Sequence, residues 1–128
     1  MKPRVLRKKV SIDETEYELS KPDARTACWL FSFLGAKIEV SGGSIFSALG
    51  KCTRAEFDEV QDIALKHTFF LDSREGNTFP TAVLDPRTGG WVDKKLGEDA
   101  DSLMKLTSEY LAFVLEPFLA ESGSNSQK

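Results

Sequence analysis

A chain of 128 residues, 41 % hydrophobic and 29 % charged, has the composition of one globular domain with a core of its own. The net charge of −3 sets the chain as a whole against phosphate backbones. Two cysteines, Cys28 and Cys52, form no Cys-x-x-Cys unit, which argues against a disulfide framework and reads as reduced core residues in apolar helical contexts. No apolar run approaches the ~18 residues of a membrane span. The basic start meets Asp13-Glu14 instead of the apolar stretch of a signal peptide, so the expectation is a soluble cytoplasmic protein.

Charge is segregated along the chain. Lys2, Arg4, Arg7, Lys8 and Lys9 crowd the start, and Asp13, Glu14, Glu16 and Glu18 follow. The basic run reads either as an arm for nucleic acid or, the preferred reading, as a charged edge strand whose lysines discourage stray pairing. From Arg4 to Leu19 the alternation fits a β-hairpin: Val5, Val10 and Ile12, a turn at Asp13-Glu14, then Tyr17 and Leu19 on one face. Ser20 reads as a helix cap with Pro22 and Asp23 in the first turn. Asp23–Ala36 carries Ala24, Ala27, Cys28, Trp29, Leu30, Phe31, Phe33 and Leu34, apolar over most of a helix's circumference, which predicts burial on more than one side, by its own fold or by a partner.

Ser41-Gly42-Gly43 marks a break, and Ser44 caps a short helix ended by Gly50. Thr53 and Glu56 form a capping box ahead of Phe57, Val60 and Ala64, predicting a helix to about Lys66. Over residues 69–92 the helical period vanishes. Arg74-Glu75-Gly76-Asn77 reads as a loop, Ala82-Val83-Leu84 as a short strand, and Asp85–Gly90 as a turn, so this stretch is irregular or a small β segment. Asp99 or Asp101 starts a last helix with the stripe Leu103, Leu106, Tyr110, Phe113 and Val114; Pro117 should kink or end it. The expected fold is α+β, mainly helical with an N-terminal hairpin. Residues 1–121 form one domain, and 122–128 form a polar, disordered tail.

Candidate chemistry is sparse. Gly43 and Gly50 before Lys51 are too far apart for a phosphate loop, and Cys52 stands where a magnesium-binding hydroxyl belongs. His67 is the only histidine and falls at a helix end, where its role is with the last carbonyls. Zinc has no ligand cluster, and Asp58-Glu59 and Glu98-Asp99 read as solvated faces or caps. Neither a catalytic set, nor a cofactor site, nor a metal site is expected. Among the aromatic residues, Trp29, Phe69, Phe70, Phe79 and Trp91 are the candidate partner-binding residues; the competing reading of the last four is satellite packing over the core.

Three stretches in this order resemble a known family: the hairpin Lys9-Val10-Ser11-Ile12-Asp13-Glu14-Thr15-Glu16-Tyr17-Glu18-Leu19, the helix start Thr53-Arg54-Ala55-Glu56-Phe57-Asp58-Glu59-Val60, and the final helix Leu103-Met104-Lys105-Leu106 through Glu116-Pro117-Phe118-Leu119. Together they look like the tail assembly chaperones of lambda-type long-tailed bacteriophages. The resemblance spans Lys9 to Leu119 and supplies no active-site residues. It implies a protein of the host cytoplasm that coats the tape measure protein, helps recruit tail tube subunits and is absent from the finished virion. It further implies self-association into a ring or open spiral and, in many members, a longer frameshifted form. The alternative class is a small nucleic-acid-binding regulator using the basic start; a third, a small hydrolase, would need the aromatic segment to roof paired carboxylates.

Overall fold

The computed structural model describes residues 6–40, 42–74 and 76–126. Lys2, Arg4 and Val5 of the basic start lie outside the described residues. So do Ser41 of the Gly-rich break, Glu75 of the expected loop, and Gln127 and Lys128 of the expected tail.

The chain begins with strands β1 (Arg7–Ile12) and β2 (Thr15–Ser20), joined at Asp13-Glu14 as the alternation predicts. Both turn residues have positive φ, 47° and 71°, the backbone a two-residue hairpin turn demands. The sheet is completed by β3 (Thr68–Arg74) and β4 (Asn77–Ala82), giving the antiparallel order β1-β2-β3-β4. Of the two expectations for this stretch, irregular or a small β segment, the second holds: it is a regular hairpin, with Gly76 at φ 81° in its turn. A further bridge, Leu84 to Trp91, closes the Asp85–Gly90 turn, where Asp85 N–H donates to the Gly90 carbonyl at 2.8 Å.

Period-two alternation sorts the sheet into two faces. Ile12, Tyr17, Leu19 and Thr68 are buried, and the register sets Phe70 beside Tyr17 on the same side. Lys9, Glu16, Glu18, Phe69 and Leu71 occupy the other face. The helices cover only the first of these faces. They are α1 (Ala24–Val40), α2 (Ile45–Leu49), α3 (Arg54–Lys66), α4 (Lys94–Glu98) and α5 (Ala100–Ser126). The class is α+β, with helix predominating.

The centre of the core is α5, which touches α1, α2, α3, α4 and β1. Leu106, Tyr110, Leu111, Val114 and Leu115 are each at most 1 % exposed, so this helix is enclosed on several sides. For α1 the expectation is burial on more than one side, by the fold or by a partner. Within the fold α1 buries one stripe, Leu30, Leu34 and Ile38, at strict i, i+4 spacing, and leaves Trp29 and Cys28 exposed. Cys28 is thus a surface residue; Cys52 is half-buried beside the Ala48 carbonyl.

Local capping follows the residues closely. Thr53 and Glu56 make the reciprocal bonds of a capping box, at 3.1 and 2.9 Å, and Ser44 caps α2. Ser20 is not a cap: its N–H and hydroxyl both donate to the His67 carbonyl, which draws it into the sheet and leaves Asp23 to precede α1. Pro117 lies on an exposed position of α5 and removes the N–H that would otherwise bond the Phe113 carbonyl one turn earlier. The helix continues to Ser126, past Ser122 where the tail was placed.

The hairpin turn is locked to the start of α5. Asp99 accepts from the N–H groups of Asp101 and Ser102, at 3.1 and 3.2 Å, while Asp13 accepts from the Ser102 hydroxyl and, at 3.1 Å, from Lys105 Nζ. The hydroxyl bond, and next the lysine, hold the Asp13 carboxyl below its ordinary value. A depressed carboxyl stabilises the fold above the unfolded-state value and loses that contribution as pH falls through the folded one. Asp13→Asn keeps the left-handed turn tolerable while removing the charge. In melts below the usual carboxylate range the variant is expected to lose stability less steeply than the wild type; parallel slopes would refute the linkage.

Candidate partner-binding surface

The open side of α1 carries an aromatic ladder. Trp29 and Phe33, four residues apart and so on one face, stack with ring centroids 5.1 Å apart and planes 3° from parallel. One turn on, Lys37 Nζ lies 4.9 Å from the Phe33 centroid, a cation–π contact that stiffens the ladder. Trp29 remains 36 % exposed.

Beside this ladder residues of α1 and α3 line a shallow, open groove of about 290 Å³: Arg25, Thr26, Trp29, Glu59 and Ile63. The lining combines the apolar Trp29 and Ile63 with opposite charges, Arg25 on α1 and Glu59 on α3. Neighbouring carboxylates of α3 are already engaged, Asp58 with Arg54 at 3.4 Å and Asp62 with Lys66 at 2.9 Å. Among the described residues, Arg25 and Glu59 form no ion pair, so both are available to a ligand.

The other named aromatics scatter. Phe69 lies on the open face of the sheet and Phe70 on its helix-covered face, as successive strand residues must. Phe79 projects from β4, 49 % exposed. Trp91 packs flat on Gly97, where an added Cβ would meet its ring at 2.7 Å, and joins the core. The structure thus brings Trp29 into a groove and does not bring Phe69, Phe70, Phe79 or Trp91 to it. Ile63, not singled out from the sequence, lines it, and Phe33 supports Trp29 from beside it; the i, i+4 spacing of Trp29 and Phe33 was the available signal.

No family model, no curated protein and no solved structure matches the chain.

His67 caps α3, its Nδ1 donating to the Ile63 carbonyl at 2.8 Å and its ring stacked on Tyr110. Among the described residues no three of His, Cys, Asp or Glu are grouped to hold a metal ion, and no helix is long and apolar enough to cross a membrane. A second recess of about 330 Å³ lies where Ser11, Ile12 and Asp13 meet Phe46, Lys105, Ser108 and Glu109. Phe46 is 54 % exposed at its rim. The α1–α3 groove offers an aromatic side chain, an aliphatic one and one charge of each sign, a set suited to holding a side of an amphipathic helix.

Proposed function

We propose that the chain is a tail assembly chaperone of the long-tailed bacteriophage kind, which keeps apolar helical segments of a tape measure protein in solution by covering them at the α1–α3 groove. The observation that carries this reading is the open Trp29–Phe33 stack, an aromatic surface beside a shallow groove that Trp29 and Ile63 help line. Large aromatic side chains in such settings supply most of an interface's binding energy, and a groove between helices receives an amphipathic helix by its i, i+3, i+4 anchors. The order of a hairpin, a capped middle helix and a long final helix supports the same reading. A coat on an extended substrate needs many copies, so the reading also calls for head-to-tail self-association and for displacement by tail tube subunits.

Co-expression with the tape measure protein of the same phage tests this. The tape measure protein is expected to move from the pellet to the supernatant and to co-purify with the chain. A tape measure protein equally insoluble with and without the chain would sink the proposal.

A further inference from the structure

The sheet has a second unfilled surface, the outer edge of β1. Pairing parity fixes what this edge presents. In a hairpin closed by a two-residue turn, the flanking pair Ile12–Thr15 exchanges hydrogen bonds, and every second pair after it does likewise. The bond from Lys21 N–H to the Leu6 carbonyl, 3.0 Å, confirms the parity at the far end. Leu6, Lys8, Val10 and Ile12 therefore turn their peptide groups toward β2. Arg7, Lys9 and Ser11 turn theirs outward, an alternating row of donors and acceptors with no strand beside it among the described residues.

Side-chain charge surrounds that row. Arg7 and Lys9 project on the open face of the sheet and Lys8 on the other; all three are exposed and none forms an ion pair among the described residues. Even Lys9, opposite Glu18 in register, makes no ion pair with it. At the other end of the strand, Ser11 borders the recess beside exposed Phe46. Three adjacent cations reject a neutral or basic strand, and the same charges select an acidic one. The chemistry separates peptide from nucleic acid: a phosphodiester only accepts hydrogen bonds and leaves the outward carbonyls of Arg7, Lys9 and Ser11 unmet. A peptide strand meets both donors and acceptors.

We infer that the β1 edge docks an acidic extended peptide segment as a fifth strand, with carboxylates facing Arg7, Lys8 and Lys9 and an apolar residue against Phe46. This surface is separate from the α1–α3 groove and stands whether or not the groove binds a helix.

The test uses the full chain and a fluorescent peptide of glutamates interrupted by a single valine. Two further probes are the same peptide N-methylated along one edge and a single-stranded DNA oligomer. Anisotropy is expected to show saturable, salt-sensitive binding of the acidic peptide, weakened at least roughly tenfold in the Lys8→Glu/Lys9→Glu double variant and equally by N-methylation. Hydrogen exchange should slow at the amides of Arg7, Lys9 and Ser11 when the peptide is bound. Absence of saturable binding, equal binding of the N-methylated peptide, unchanged exchange along β1, or tighter binding of the oligomer would each overturn the inference. Both lysines are exposed, so a melt of the double variant matching the wild type assigns the loss to the edge itself.

Discussion

Leu111→Ala is expected to lower the stability of the chain by about 2–5 kcal/mol, the usual cost of a cavity at an enclosed leucine. Leu111 has no exposed surface and sits on α5 between Tyr110 and the pair Val114 and Leu115, all of them buried. Because α5 touches every other helix and β1, a void there has walls from several elements and cannot collapse by shifting one of them. In a domain of this size each kcal/mol moves the melting midpoint by roughly 3–6 °C, so thermal and urea melts resolve the effect easily. The neighbouring Tyr110→Phe serves as a contrast. The Tyr110 hydroxyl is buried and has no hydrogen-bond partner among the described residues, and burial raises its pKa, as expected for a group left in an apolar setting. Removing an unpaired polar atom at nearly constant shape is neutral or stabilising. A Leu111→Ala midpoint within two or three degrees of wild type would mean that α5 is not the centre of the core.

How far the sequence discloses this fold depends on where the deciding interaction lies. The first hairpin is legible because its turn and its alternation are both local: Asp13-Glu14 tolerates the left-handed backbone, and Tyr17 and Leu19 share a face. The box at Thr53 and Glu56 is local too, and α3 begins where it says. The β3–β4 hairpin is harder to see. Thr68-Phe69-Phe70-Leu71 is apolar without a period, since Phe69 and Leu71 stay partly covered on the open face while Phe70 packs inward. Pro80 further disguises β4, although an edge strand accepts proline. Ser20 misleads for a related reason: the serine that suits a cap found its partner in the distant His67 carbonyl.

The two apolar helices show what a single sequence withholds. Both α1 and α5 carry enough hydrophobic residues to be central, and composition favours α1. Which one is enclosed depends on how the helices pack against one another and the sheet, a tertiary outcome that no window of residues contains. The consequence reaches the candidate site. Trp29 could be named from the sequence as a candidate, but its freedom could not: it stays open to solvent because α1 turns its Leu30, Leu34 and Ile38 stripe inward.

That freedom sets the second large effect. Trp29→Ala is expected to weaken capture of a helical partner by about 2 kcal/mol or more, roughly thirtyfold in affinity, as truncation of an interface anchor does. Stability should change far less, within about 1 kcal/mol. Trp29 keeps more than a third of its surface in water, and its main internal contact is the stack on Phe33, which is itself only partly buried. Phe33→Ala removes the support of the indole and the seat of Lys37, so it should weaken capture in the same direction. Phe79→Ala supplies the comparison: it deletes a more exposed aromatic on β4, an edge of the sheet that does not line the groove, and is expected to leave capture unchanged. Pull-down of the tape measure protein, with melts run on each variant, separates these cases. Equal loss from Trp29→Ala and Phe79→Ala would point to nonspecific hydrophobic adhesion, whereas loss confined to Trp29 and Phe33 requires a partner seated between α1 and α3.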